Sequence, residues 1–168
     1  RIIFNGDGYS DAWVKEAERR GLPNIKSMIE AVDTLTTEKS VKLFNKFGIF
    51  TKAELESREE VLYETYAKTI NIEALTMIDM ASKQIIPAVI KYTKSLADTV
   101  IAVKEAGADA SVQADLLKQV TEKLNGMKAA LAKLEEVTAK ASSMNHAKEQ
   151  AFYYKDVVKE AMEELRIP

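Results

Sequence analysis

Apolar residues recur every three or four positions between residues 51 and 106, a spacing that places them on one face of an α-helix. The pattern passes through Pro87 without a glycine until Gly107. At 1.5 Å per residue, such a helix would be about 80 Å long. The apolar positions are Leu55, Leu62, Tyr66, Ile70, Leu75, Ile78, Ile85, Val89, Tyr92, Leu96, Val100 and Val103.

Particular residues predict where this helix begins and where its regular geometry is interrupted. Thr51 and Glu54 have the spacing of a capping box, in which each side chain accepts a backbone N–H of the other residue. Pro87 lacks a backbone donor and crowds the preceding turn, which predicts a kink near Lys83–Pro87 without an end to the helix.

Two further helical patterns follow the tip at 107–110. Asp109 or Ser111 is the predicted cap of the first, which extends to about residue 141, and Gly126 within it could mark a close helix contact. Its heptad-like seam predicts packing against another long helix. The seam consists of Leu117, Val120, Leu124, Met127, Leu131 and Leu134, and the inner face of the last helix of Ala147, Ala151, Tyr154, Val158, Ala161 and Leu165.

The first fifty residues predict a short strand, Arg1–Phe4, and three small helices at about 11–20, 25–32 and 38–47. Ser10 is expected to cap the first helix and Gly21 to end it, and Thr36 or Thr37 is expected to cap the third. A lone strand has no backbone partner, so this segment is interpreted as cut from a larger sheet and the chain as a piece of a longer protein. The expected inward side chains are Ala12, Trp13, Ala17, Met28, Ile29, Val32, Val41, Leu43, Phe44 and Phe47, with Val14 as a further candidate.

Short turns between long amphipathic helices predict antiparallel neighbours. The predicted fold is all-α: an elongated up-down-up bundle of three long helices, the first kinked near Pro87, with small N-terminal helices and a short extended start. Residues 1–50 are interpreted as a lead-out from a missing upstream catalytic domain and residues 51–168 as the bundle, within one structural domain.

The composition of the chain argues against several classes of function, namely nucleic-acid binding, membrane binding and cysteine chemistry. The 168 residues carry 24 Lys and Arg against 26 Asp and Glu, so no basic footprint for nucleic acid and no polybasic membrane patch is expected. The chain has no cysteine, which excludes disulfides and thiolate chemistry within it and fits a cytoplasmic location. No apolar run reaches the roughly 18 residues that a membrane span needs.

The sequence offers few candidates for catalytic or ligand-binding residues. His146 is the only histidine and lacks the glutamate three residues earlier that di-iron bundles use, so it is expected at the surface. The stretch Asn5–Gly8 lacks the continuation of a phosphate-binding loop and is predicted to be a turn. We therefore predict no catalytic, cofactor-binding or metal-binding residue. Four polar residues interrupt the most apolar part of the long helix: Asn71, Glu73, Thr76 and Asp79. They could lie on a solvent-exposed side of the helix, or form a buried polar network or an interface to a missing domain.

Three segments carry a resemblance to a known family: residues 1–24 (RIIFNGDGYSDAWVKEAERRGLPN), 66–93 (YAKTINIEALTMIDMASKQIIPAVIKYT) and 147–166 (AKEQAFYYKDVVKEAMEELR). They resemble the C-terminal helical region of type III glutamine synthetases. The resemblance implies a parent enzyme that joins ammonia to L-glutamate using ATP and Mg²⁺ or Mn²⁺. It also implies an upstream catalytic domain in the same chain and a homo-oligomer of dodecamer-type rings.

That family's metal, phosphate and ammonia residues lie upstream and have no counterpart here, so the resemblance implies a non-catalytic, structural or oligomer-contact role. One alternative is a stand-alone helical-bundle or coiled-coil interaction module, favoured by the regular seams of the last two helices. A metal-dependent bundle enzyme would rest only on His146 and clustered glutamates.

Overall fold

The computed structural model describes residues 4–168, and every regular element in that range is helical. The predicted strand at Arg1–Phe4 lies almost entirely outside the described residues. The chain divides into two compact units, one ending at Glu59 and the other Glu60–Pro168. The all-α class is confirmed for the described part of the chain.

The first unit contains three short helices, α1 (Asp11–Arg19), α2 (Met28–Val32) and α3 (Glu38–Lys46). Each begins at a hydroxyl cap, because the side chains of Ser10, Ser27 and Thr37 accept the backbone N–H three residues ahead. The predicted start of α2 at residue 25 is wrong by three residues. Ser27 is the cap that the sequence analysis overlooked.

The inward face expected for these helices is only partly correct. Ile29, Val32 and Ala17 are buried, whereas Met28, Leu43 and Phe47 are exposed. Apolar spacing identifies a helix face but does not require another element to cover it, and α3 has no buried residue.

The long helix begins with the predicted capping box. The backbone N–H of Glu54 donates to Thr51 Oγ1 at 3.3 Å, and the N–H of Thr51 donates to Glu54 Oε2 at 2.7 Å. Helix α4 covers Lys52–Met80, followed without a break by a π-helical segment, Ala81–Ile85, and by α5, Ile86–Glu105. A π-helical segment thus overlaps the stretch where a kink is predicted and ends two residues before Pro87, while the kink itself stays a prediction.

The second unit continues with α6 (Ser111–Ser142), α7 (Ala147–Tyr153), a second π-helical segment (Tyr154–Val158) and α8 (Lys159–Leu165). The N-cap of α6 is Ala110 and no side chain caps the helix, so the predicted cap at Asp109 or Ser111 is wrong. The Asp109 carboxylate instead accepts the N–H of Ser111, the first residue of the helix, at 3.0 Å. The second π-helical segment was not predicted. Helix α6 packs along α5 and also along α8.

The core of the second unit joins α4, α6 and the last helices. Five of its twelve buried members are alanines, which let helix backbones approach closely. Leu131 and Leu134 of the predicted α6 seam are completely buried, whereas Leu75, Ile85 and Tyr92 of the predicted α4–α5 stripe are exposed. The buried cluster is Ala67, Ile70, Ala74, Ala81, Leu131, Leu134, Ala141, Tyr154, Val158, Ala161, Met162 and Leu165.

Candidate functional site

A hydrogen-bonded polar cluster in the second unit consists of the buried Tyr154, the half-buried Asn71 and the exposed Ser142. The hydroxyl of Tyr154, a residue that is 2% exposed, donates to Asn71 Oδ1 at 2.9 Å. Ser142 Oγ lies 3.1 Å from the Tyr154 hydroxyl and 3.3 Å from Asn71 Oδ1. These contacts connect α4, the end of α6 and the second π-helical segment, so each hydrogen bond joins different helices.

Gln150 lines the same cavity as this cluster, at the turn between α6 and α7. Its Nε2 donates to the carbonyl oxygens of Ala141 at 3.0 Å and Met144 at 3.4 Å. The Ala141 carbonyl also accepts the Met144 N–H at 3.2 Å, so Gln150 adds a side-chain donor at the turn that follows α6. A cavity of about 180 Å³ adjoins the cluster and is lined by Ala67, Lys68, Asn71, Ser142, Gln150 and Tyr154.

One member of the predicted polar set therefore enters a network and three do not. Asn71 is half-buried, while Glu73, Thr76 and Asp79 are exposed. Thr76 donates to the Ile72 carbonyl of its own helix, and Asp79 pairs with Lys83. Sequence analysis missed Tyr154 and Ser142 as polar partners, because nothing local in the chain indicates a contact with Asn71.

The other residues considered for chemistry lie apart from this cluster. His146 is exposed and occupies the N-cap position of α7, where its side chain makes no capping bond. The Asp7 side chain accepts the Tyr9 N–H at 2.9 Å, so the glycine-containing stretch is a turn, as expected. Within residues 4–168, no three acidic, histidine or cysteine side chains converge in a way that would hold a metal ion.

The first unit has its own charged cluster at the end of α1. Glu16 bonds Arg19 through two oxygens, at 2.7 and 2.6 Å, and Oε1 also accepts Arg20 Nε at 2.6 Å. The bonds from Arg19 first, and Arg20 second, lower the pKa of Glu16 from 4.5 to about 2. The Arg20 guanidinium also lies over the Phe4 and Trp13 rings, 5.8 and 5.7 Å from their centroids.

Two apolar grooves of about 300 and 430 Å³ lie on either side of Pro168 in the second unit. Both are lined by Met127, and the larger also by Val89, Tyr92 and Leu124. Such walls offer contact area but almost no groups that could orient a polar substrate. In the described part of the chain, no helix is both long enough and apolar enough to cross a membrane.

Within residues 4–168, these features define an all-helical structure in which the hydroxyl of the buried Tyr154 bonds one helix to another. Residues 1–104 match the family model described as the glutamine synthetase C-terminal domain. This chain therefore belongs to the glutamine synthetase C-terminal domain family, which confirms the resemblance found in the sequence.

Relatives are similar along nearly the whole chain. A glutamine synthetase of Butyrivibrio fibrisolvens is 40% identical over 99% of this chain, and a type-3 glutamine synthetase of Dictyostelium discoideum is 34% identical over 99%. A glutamine synthetase of Bacteroides fragilis (strain YCH46) is 30% identical over 98%. The matched regions are 24%, 23% and 24% of those proteins, so the chain spans about a quarter of the length of these relatives.

Proposed function

We propose that this chain is the non-catalytic, architectural C-terminal part of a type III glutamine synthetase. The observation that carries the proposal is the Asn71–Ser142–Tyr154 cluster, in which the buried Tyr154 and two polar side chains beside it bond three helical elements together. Groups committed in this way stabilise a scaffold and are not free to bind substrate. The length of the relatives, about four times that of this chain, supplies room for a separate catalytic body.

The proposed parent enzyme joins ammonia to L-glutamate with ATP and Mg²⁺ or Mn²⁺, and it does so in the catalytic body upstream. Residues 1–168 contribute no catalytic, cofactor or metal ligand in this proposal. The parent is proposed to be a cytoplasmic homo-oligomer built from rings, in which this domain completes the protomer or contacts other subunits.

The proposal also includes the topology of the helices. We infer an up-down-up bundle for residues 51–168, with residues 1–50 leading out of the catalytic body. Short connections before and after α6, together with its packing along both α5 and α8, support this topology.

The test compares three proteins: the full-length synthetase, the same enzyme without residues 1–168, and residues 1–168 alone. Glutamine formation and mass by light scattering are measured for each. We expect ATP- and metal-dependent activity in the full-length enzyme, none in residues 1–168, and loss of assembly when those residues are deleted. Glutamine formation by residues 1–168, or unchanged assembly and thermal stability after deletion, would overturn the architectural role.

A second candidate function is a stand-alone helical interaction module. The apolar grooves beside Pro168 favour it, because apolar grooves between helices accept amphipathic helices of partners. Stable self-association of residues 1–168 in light scattering, together with an unassembled or inactive full-length protein, would support this alternative.

A further inference from the structure

The outward face of α4 is apolar, although the opposite face of the same helix forms part of the core. Val61, Ile72 and Leu75 are 57%, 65% and 50% exposed. With 100° between successive residues, these three positions fall in one sector, opposite the buried Tyr63, Ala67, Ile70 and Ala74. We call this sector, from Val61 to Asp79, the outer α4 stripe.

Three threonines add to the apolar character of the outer α4 stripe. The hydroxyls of Thr65, Thr69 and Thr76 donate to the carbonyls of Val61, Thr65 and Ile72 at 2.7, 2.9 and 2.7 Å. Because each hydroxyl proton is used within the helix, these side chains offer a methyl group but no free donor to a partner.

The charges of the outer α4 stripe are few and are paired within the helix. Lys68 Nζ lies 2.7 Å from Glu64, and Asp79 pairs with Lys83. Both are pairs of residues four positions apart, which place opposite charges next to each other on the helix surface. The stripe therefore carries little net charge of its own, and an apolar partner surface could cover it without leaving an isolated charge.

Helix α6 shows what a solvated face looks like in this protein. Between residues 118 and 140, all of which the structure describes, no large apolar side chain is exposed. The exposed positions of this segment are mainly charged residues and alanines, such as Lys118, Glu122, Lys128, Ala132, Glu136 and Lys140. The contrast between the two helices marks the outer α4 stripe as a face suited to a protein partner.

We propose that the outer α4 stripe is the surface on which the catalytic body of the same synthetase docks, an inference that rests on the proposed function. Three quarters of the length of the relatives lies outside the matched region, so a large protein body is available to cover it. The stripe is about 27 Å long at 1.5 Å per residue, enough for one helix face in an apolar groove. The family match at residues 1–104 also contains all of α4.

The test uses two single-cysteine variants of the full-length enzyme, Ile72→Cys on the outer α4 stripe and Ala132→Cys on the solvated face of α6. Maleimide labelling at each site is followed by peptide mass spectrometry and normalised to the rate in denaturant. Residues 1–168 have no cysteine, so each new thiol is the only one in this domain. We expect Ile72→Cys to react at least about tenfold more slowly than Ala132→Cys, because a covered thiolate is inaccessible.

A photo-reactive benzophenone side chain at position 72 identifies what covers the stripe. Cross-links from position 72 to peptides of the catalytic body support the proposal. Equal labelling at positions 72 and 132, or cross-links only to α4 of a second copy, would overturn it. Glutamine formation by the same preparation is a separate readout, so an active enzyme with an unprotected position 72 refutes the docking surface and leaves the synthetase assignment intact.

Discussion

The Tyr154 hydroxyl shows how one atom can join distant parts of the chain. It lies on the second π-helical segment, donates to Asn71 of α4 and contacts Ser142 at the end of α6. A π-helical turn inserts a residue and redirects the side chains around it. The insertion at Tyr154–Val158 occurs where this phenol enters the core between the other two elements.

Replacing Tyr154 with phenylalanine removes the hydroxyl and keeps the ring. The Asn71 carbonyl oxygen then loses its 2.9 Å donor, and the free energy of unfolding is expected to fall by about 1–2 kcal/mol. Urea denaturation measures the change. Tyr153→Phe is the matched control, because its ring contact with Lys140 survives, and it should change stability by less than about 0.5 kcal/mol. Equal losses in the two variants would contradict a specific role for the Tyr154 hydroxyl.

Glu16 gives a pH dependence whose sign follows from its pKa. The carboxylate, bonded first to Arg19 and then to Arg20, titrates near 2 instead of 4.5. A lowered pKa means that the folded state holds the charged form more strongly, so this contribution is complete above pH 4.5 and is lost as the pH falls towards 2. Carbon NMR of the side-chain carboxyl should report the low midpoint. Arg19→Gln should raise it towards 4.5, whereas Lys15→Gln should leave it unchanged.

At the scale of elements, helix starts were the most predictable feature. Ser10 and Thr51 cap their helices as expected, and Thr37 is one of the two caps proposed for α3, because capping depends on a few adjacent residues. At α6 the predicted polar cap is absent. The π-helical segments were less accessible, since apolar residues spaced by three and four describe an α-helix and one with an inserted residue almost equally well. The sequence singled out Asn71, but its partner Tyr154 is 83 residues away and no local signal connects the two.

The same limit explains the exposed apolar residues. Periodicity placed Leu75 and Phe47 on inner faces, and the structure leaves them 50% and 64% exposed. The register of apolar residues depends on the helix alone, whereas burial depends on which other segment lies against it.

Gly126 in the middle of α6 provides a test at this scale. A Cβ at position 126 would lie 3.7 Å from Pro168 Cγ, an ordinary van der Waals contact, so no tight crossing requires the glycine. Gly126→Ala should therefore raise the free energy of unfolding by about 0.5–1 kcal/mol, through the better helix propensity of alanine. Thermal and urea denaturation would measure it.

Gly107 provides the control, because its replacement by alanine should change the free energy of unfolding in the opposite direction. It ends α5 with a φ of +76°, a region that residues with a Cβ avoid. Gly107→Ala should lower the free energy of unfolding by about 1–2 kcal/mol. If Gly126→Ala lowers the free energy of unfolding, as Gly107→Ala is expected to do, helix propensity does not govern position 126.

For the whole molecule, burial is distributed unequally between the two compact units. Among the described residues of the first unit, the buried apolar ones are Ala17, Ile29, Val32 and Leu55, whereas the second unit has a connected cluster of twelve. Since burial of apolar surface is the main favourable term in folding, the first unit has less to oppose its chain entropy. Backbone amides in α1–α3 should therefore open more easily than those of α6.

Native-state hydrogen exchange can resolve this difference residue by residue. Amides near Leu131 and Leu134 should exchange only through the opening of highest free energy, at least about 2 kcal/mol above that of α1–α3. Leu55→Ala should lower the opening free energy of α1–α3 by about 2–4 kcal/mol, and Leu134→Ala should do the same for α6, because each leaves a cavity in its own core. A single opening free energy throughout, shifted equally by both substitutions, would mean that the chain unfolds as one cooperative body. In that case the division at Glu59 would have no energetic counterpart.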